Sequence, residues 1–145
     1  MSDFRRLCDS VLASPQIAIA DVEEAKAQGV TMIVCNRPDG EDPGQPAASE
    51  VETAARAADM DFAWVPVSGA GFGEPQVAAM AEALERDGKV LAYCRSGTRS
   101  TLLWALAQAR GGRDPEAIAA DAAAAGYDVA PVRAAMDMLA ARASG

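Results

Sequence analysis

Three short stretches of almost uninterrupted apolar residues recur along the chain, at 30–36 ("VTMIVCN"), 62–67 ("FAWVPV") and 89–94 ("KVLAYC"). Such runs are typical of parallel strands that helices cover on both faces, because both sides of each strand are then buried. With a shorter candidate strand at 11–16, they predict an α/β fold with a parallel central sheet of about four strands and helices on both faces. Apolar spacing and end signals predict the intervening helices at 17–28, 48–58, 76–87, 101–110, 115–126 and 131–143.

Composition narrows the kind of protein that carries this fold. A length of 145 residues suits one domain over residues 1–145, and a hydrophobic fraction of 50% indicates an ordered core. The net charge of −8 argues against nucleic acid as a partner, since a phosphate backbone requires a basic face. No apolar stretch approaches the ~20 residues that span a bilayer. We therefore expect a cytoplasmic protein without a membrane segment, and its three cysteines, an odd count, favour free thiols over disulfides.

The stretch "AYCRSGTRST" at 92–101 contains the candidate catalytic and anion-binding residues. Cys94 ends a predicted strand, and the next helix begins shortly after it. The free N–H groups and positive dipole end of that helix favour an anion, and a thiolate is an anion. Arg99 adds a planar fork suited to an oxyanion, while Gly97 lets successive N–H groups converge. We therefore predict a nucleophilic Cys94 with Arg99 as its catalytic partner, in a loop that binds a small anion through Arg95, Ser96, Gly97, Thr98 and Ser100.

The chain contains no histidine, which excludes several familiar arrangements. A Ser–His–Asp triad, a Cys–His pair and an HExxH zinc site all need imidazole. The thiolate would therefore be stabilised by the helix terminus and Arg99, with a hydrogen bond from Ser100. No metal or cofactor is predicted. Three further residues, Cys35, Trp64 and Trp104, are interpreted as core residues. Cys35 also lies late in its predicted strand, at the carboxyl edge of the sheet, and is therefore expected near the site.

A family resemblance adds to this interpretation. "CRSGTRS" resembles the Cys-x4-Arg loop of rhodanese-type sulfurtransferases, and is one residue shorter than the Cys-x5-Arg loop of cysteine-dependent phosphatases. Together with "VCNRPDGEDPGQP" at 34–46 and "VPVSGAGFGEPQV" at 65–77, it resembles the phosphatase-like domain of beta-lactamase-hydrolase-like proteins over about residues 4–110. The resemblance implies a dual-specificity-phosphatase-like fold. It also implies a partner metallo-hydrolase of the persulfide dioxygenase type, since members occur alone or fused to such a domain.

Departures from the phosphatase pattern decide the predicted reaction. Phosphatases carry a histidine where this chain has Tyr93, and a general-acid aspartate about where it has "VPVSGAG", in which neither Ser68 nor Gly69 can donate the proton. Asp39 in the 37–46 loop and Glu74 are the candidates to stand in for that acid, but each is interpreted first as a turn or helix-start residue. Sulfur transfer needs no such acid, because its leaving group is already a stable anion.

Three functions therefore stay open, all at the same loop. The first is a sulfurtransferase that forms a persulfide on Cys94, using thiosulfate or a persulfide as its small anionic substrate. The alternative is a cysteine-based phosphatase acting on phosphate esters, which would be slow on alkyl esters without its acid. The third is a non-enzymatic anion- or persulfide-sensing module.

Overall fold

The computed structural model describes residues 3–68 and 71–144. A sheet of five strands forms its centre, in the order β1-β2-β5-β3-β4. All neighbouring pairs are parallel except β1 and β2, which are antiparallel. The strands are β1 (Arg5–Cys8), β2 (Val11–Ser14), β3 (Val30–Cys35), β4 (Asp61–Trp64) and β5 (Lys89–Tyr93). The helices are α1 (Asp21–Ala27), α2 (Ala48–Ala57), α3 (Glu74–Leu84), α4 (Thr98–Arg110), α5 (Pro115–Ala124) and α6 (Arg133–Ser144), with a short 3-10 turn at Ala130–Val132.

Helices cover both faces of the sheet, as the apolar strands predict. Side chains alternate along each strand, so Ala92 packs on one face and Leu91 and Tyr93 pack on the other. The first face lies under α3, α4, α5 and α6, and the second lies under α1 and α2. The predicted α/β class and the cover on both faces are confirmed.

Two details of the fold differ from the prediction. The strand β1 was missed because "RRLC" is short and opens with two arginines, and it stays in the sheet by pairing with β2 through backbone bonds. Trp64 is not a core residue: it is 48% exposed on the last strand of the sheet, and its Nε1–H donates to the Arg37 carbonyl at 3.0 Å. Trp104 is fully buried in α4, as predicted.

The parallel strands bring four loops to one edge of the sheet. Their carboxyl ends lead into residues 15–20 after β2, 36–47 after β3, the segment after β4, and 94–97 after β5. Open α/β sheets keep their sites at this edge. No helix in the described part of the chain is long and apolar enough to cross a membrane.

Candidate active site

Cys94 lies directly after β5 and is fully buried at the base of the loop. Its backbone N–H donates to the Ser14 carbonyl at 3.3 Å, which ties the start of the loop to β2. Its sulfur accepts a hydrogen bond from the backbone N–H of Gly97 at 3.1 Å. The loop therefore curls back so that a backbone donor faces the sulfur, which is an arrangement that stabilises a thiolate.

Gly97 makes this curl possible. Its φ of 92° lies in the left-handed region that favours glycine, and it forms the N-cap of α4. Both the backbone N–H and the hydroxyl of Thr101 donate to the Gly97 carbonyl, at 3.0 and 2.9 Å. α4 thus begins at Thr98, three residues earlier than the apolar pattern predicts, and its first turn contains Arg99.

Arg99 is held from one side by a carboxylate that the sequence analysis did not identify. Its Nη1 and Nη2 donate to the two carboxylate oxygens of Glu41, each at 2.8 Å, and Nη1 also donates to the Val67 carbonyl at 2.8 Å. Glu41 raises the pKa of Arg99 most strongly, and the nearby Cys94 adds to the increase. The Nη1–Nη2 end of the guanidinium is therefore fixed by protein, while the Nε–H and the second N–H of Nη2 take no part in the bonds to Glu41 and Val67.

Glu41 is itself oriented by the buried Arg37. The Arg37 side chain is only 3% exposed, and it donates to Glu41 at 2.8 Å, to Asp42 at 2.6 Å and to the Gln16 side chain at 2.9 Å. The two arginines lower the pKa of Glu41 to about 2, with the Arg99 hydrogen bonds as the largest cause. Glu41 is therefore an ionised anchor near neutral pH, and cannot act there as a proton donor.

The remaining predicted anion-binding residues line the mouth and floor of the loop. Arg95 is mostly exposed and lies 3.6 Å from Asp42. The Ser96 hydroxyl donates to the Thr98 hydroxyl at 3.0 Å and accepts from its backbone N–H at 3.3 Å. The Ser100 hydroxyl is buried and has no hydrogen-bond partner among the described residues, so the sulfur receives its bond from Gly97 and not from Ser100.

Two buried residues, Cys35 and Tyr93, lie beside the loop on the face of the sheet that α1 and α2 cover. Cys35 pairs in register with Tyr93, and burial raises the pKa of both side chains. The Cys35 thiol donates to the Arg37 carbonyl at 3.4 Å. Cys35 therefore packs in the core, close to the site, as the sequence indicates.

The residues considered as substitute acids have structural roles. The Asp39 carboxylate accepts from the N–H of Ala48 at the start of α2, at 2.8 Å. Glu74 opens α3 and pairs with Arg110. Of the two positions where phosphatases carry their acid, Ser68 has no carboxyl group and Gly69 lies outside the described residues. Within the described ranges, no group of three His, Cys, Asp or Glu side chains is arranged to hold a metal.

Tyr127 is a second residue that the sequence analysis missed. It follows α5, and its hydroxyl donates to the Ser96 carbonyl at 3.2 Å. It lies 31 residues away in sequence from the carbonyl it contacts, so no local motif indicates it.

Comparisons with known proteins agree with this geometry. The family described as "Beta-lactamase hydrolase-like protein, phosphatase-like domain" matches residues 3–111. A beta-lactamase hydrolase-like protein of Agrobacterium fabrum is 39% identical over 109 residues, which cover 74% of this chain and 25% of that protein. The chain thus spans about a quarter of the length of this curated relative.

Solved structures extend the likeness to nearly the whole chain. A crystal structure of a candidate phosphatase from Neisseria meningitidis has a TM-score of 0.82 and 30% identity, and the match covers 96% of this chain and 99% of that one. The structure of Tk-PTP in its active form has a TM-score of 0.73 at 18% identity, covering 97% of both chains, and shows likeness of fold alone. The neighbours confirm the predicted cysteine-phosphatase-like fold.

Proposed function

Because the chain belongs to the family of phosphatase-like domains of beta-lactamase hydrolase-like proteins, we propose that it hydrolyses phosphate monoesters through a covalent intermediate on Cys94. Phosphate-ester hydrolysis is the alternative given in the sequence analysis, and we now rank it ahead of sulfur transfer. The observation that carries it is a backbone donor at the Cys94 sulfur with a fixed arginine beside it. Gly97 N–H contacts the Cys94 sulfur, and Arg99, fixed by Glu41, keeps the Nε edge of its guanidinium available for two oxygens of an anion.

The proposed reaction has two steps. The Cys94 thiolate attacks phosphorus, an S–P bond forms, and the P–O bond to the leaving group breaks with its electron pair on the leaving oxygen. A water molecule then attacks phosphorus, the S–P bond breaks, and inorganic phosphate leaves as the thiolate is restored. In both steps the loop N–H groups and Arg99 stabilise charge on the non-bridging oxygens, which is the main contribution expected of the protein.

The surroundings of the loop predict which esters react. Glu41 is ion-paired with two arginines, and its pKa of about 2 makes it unable to protonate a leaving alkoxide. General-acid assistance is worth roughly 10²–10⁴-fold, and an alkyl ester needs it most. We therefore expect aryl phosphates, whose phenolate is a good leaving group, to react much faster than alkyl phosphates.

Steady-state assays test this proposal. Wild type and Cys94→Ser would be given p-nitrophenyl phosphate, a series of substituted phenyl phosphates and an alkyl phosphate, with release of inorganic phosphate as the readout. The expected result is turnover by the wild type alone, with rates that fall steeply as the leaving group becomes more basic. Equal rates for wild type and Cys94→Ser would refute the role of Cys94, and equal rates on aryl and alkyl esters would refute the absence of an acid.

Sulfur transfer is the second candidate, and the loop length favours it. The loop from Cys94 to Arg99 has four intervening residues, one fewer than the phosphatase pattern. In this reaction the thiolate attacks the sulfane sulfur of thiosulfate, the S–S bond of the donor breaks, and sulfite leaves with the electron pair. Cyanide or a thiol then removes the outer sulfur from the persulfide. Thiocyanate formation from thiosulfate and cyanide by the wild type, without phosphate release from aryl esters, would place this function first.

The partner prediction also remains a proposal. Since the curated relative is about four times as long as the matched segment, we propose that the metallo-hydrolase predicted from the resemblance acts together with this domain. Co-purification with such a protein, and loss of that association when the exposed Arg95 at the loop mouth is replaced, would support the proposal. No association between the two purified proteins would count against it.

A further inference from the structure

Tyr127 reaches the back of the catalytic loop from the C-terminal part of the chain. It lies beyond residues 3–111, the segment that the family matches. Its backbone N–H donates to the Ala122 carbonyl at 2.9 Å, which fixes it at the end of α5. Its side chain is 8% exposed, and its hydroxyl donates to the Ser96 carbonyl at 3.2 Å. A buried aromatic residue outside the loop thus contacts the loop backbone directly.

The contacted carbonyl belongs to the same peptide unit as the N–H that faces the sulfur. The Ser96 carbonyl and the Gly97 N–H point in opposite directions, because the peptide between them is planar and trans. Tyr127 holds the carbonyl on one side of the loop, and the Gly97 N–H then points to the Cys94 sulfur on the other side, at 3.1 Å. If this peptide turned over, its carbonyl oxygen would face the sulfur and repel both the thiolate and a bound anion.

The packing around Gly97 leaves little room for another arrangement. A Cβ atom on Gly97 would lie 2.1 Å from the Tyr127 hydroxyl and 3.3 Å from the Ser14 carbonyl carbon. The Tyr127 ring is itself supported by Arg5, whose guanidinium lies 5.1 Å from the ring centroid. The hydroxyl therefore sits in close contact with the loop backbone at the one residue whose left-handed φ forms the curl.

We infer that Tyr127 is a positioning residue, which orients the Ser96–Gly97 peptide so that its N–H serves the Cys94 sulfur and the anion bound there. Its hydrogen bond is to the Ser96 carbonyl, so it acts on Cys94 through the loop backbone. The inference deepens the proposed function, and it rests on that function only for its effect on turnover. Its effects on the reactivity of Cys94 and on oxyanion affinity are expected whichever group the cysteine transfers.

The experiment compares Tyr127→Phe with wild type by two measurements that need no turnover. One is the rate at which iodoacetamide alkylates Cys94 near neutral pH, followed by intact mass and peptide mapping. The other is the dissociation constant of vanadate. We expect Tyr127→Phe to slow the alkylation and weaken vanadate binding roughly 3- to 10-fold each, the factor that one net hydrogen bond supplies. Thr53→Val removes an exposed hydroxyl that donates to the Ser49 carbonyl on α2, and should change both by less than about twofold.

The thermal midpoint of Tyr127→Phe distinguishes a positioning role from a purely structural one. If Tyr127→Phe leaves both alkylation and vanadate binding within about twofold of wild type, the inference is overturned. If it only lowers the thermal midpoint, the inference is overturned as well. If wild type shows no phosphatase turnover while Tyr127→Phe still slows alkylation, the proposed function fails and the inference stands.

A second measurement covers the case in which Tyr127→Phe does not fold. The chain has two tyrosines, so 3-fluorotyrosine incorporated into the Tyr93→Phe protein labels Tyr127 alone. We expect its fluorine resonance to shift when vanadate binds or Cys94 is alkylated, because both act on the peptide that Tyr127 holds. A resonance unmoved by both treatments would overturn the inference.

Discussion

Replacing Glu41 by Gln tests how Arg99 is held. Glu41 accepts two hydrogen bonds from Arg99 and one from Arg37, each at 2.8 Å. Glutamine keeps the size of the side chain, but it loses the charge and replaces one acceptor oxygen with a donor. The paired contact with Arg99 then cannot form in full, and the guanidinium is free to leave the orientation that presents its Nε edge.

Two effects of opposite sign determine how far Glu41→Gln lowers kcat/KM. A hydrogen bond to a charged group is worth about 1.5–3 kcal/mol. Glu41→Gln loses one such bond, and with it the free energy that holds Arg99 in its orientation. Removing the negative charge of Glu41 from the surroundings of the bound anion favours binding by about 1 kcal/mol, the order expected for two charges in a largely solvated site. The net loss of about 0.5–2 kcal/mol predicts that kcat/KM falls roughly 2- to 30-fold.

A double-mutant cycle supplies the assay. The value of kcat/KM on p-nitrophenyl phosphate would be measured for wild type, Glu41→Gln, Arg99→Ala and the double variant. If Glu41 acts through Arg99, its replacement has little further effect once Arg99 is absent. Glu52→Gln, which removes a carboxylate paired with Arg56 on the exposed face of α2, is the matched control and should leave kcat/KM unchanged. The same factor for Glu41→Gln in both backgrounds would refute the reasoning.

Further predictions concern acid stability, the loop glycine and the two tryptophans. The folded-state pKa of Glu41, about 2 against an ordinary 4.5, is depressed, so its stabilisation is present above pH 4.5 and lost as the pH falls from 4.5 towards 2. Urea unfolding should show a shallower acid loss in Glu41→Gln, and equal pH profiles would contradict this origin. Gly97→Ala should abolish turnover and lower the thermal midpoint, since its Cβ would lie 2.1 Å from the Tyr127 hydroxyl at a φ of 92°; wild-type kinetics in this variant would show that the loop is not so constrained. Trp104→Ala should lower the free energy of unfolding by about 3–5 kcal/mol, as expected for a fully buried ring, and Trp64→Ala by only about 1 kcal/mol, because Trp64 is half exposed. Comparable losses in urea denaturation would contradict the burial of the two rings.

The parts of the fold that could be predicted from sequence are those that local patterns determine. Runs such as "KVLAYC" are buried on both sides, which gives the parallel sheet and its helical cover. Cys94 ends such a run and precedes a helix, so its place at the carboxyl edge follows from chain order alone. Strand β1 could not be predicted in this way, because backbone pairing with β2, and not an apolar pattern, holds it in the sheet.

The partners of the loop could not be predicted, because tertiary structure brings them together. Glu41 is 58 residues from Arg99 in sequence, and Tyr127 is 31 residues from Ser96. In "RPDGED" the acidic residues have the appearance of an exposed turn, and nothing local distinguishes the one that contacts Arg99. Trp64 was assigned to the core for the same reason: its strand is apolar, but the strand lies at the edge of the sheet, which only the topology shows.

The most direct test of the central claim is the intact mass of protein quenched with acid within milliseconds of mixing with p-nitrophenyl phosphate. The account predicts that wild type gains the mass of one phosphoryl group, that the adduct maps to Cys94, and that Cys94→Ser gains none. A parallel reaction with thiosulfate identifies the competing chemistry. If the protein gains one sulfur atom from thiosulfate and no phosphoryl group from the ester, Cys94 is a sulfur carrier and the proposed phosphatase function is wrong.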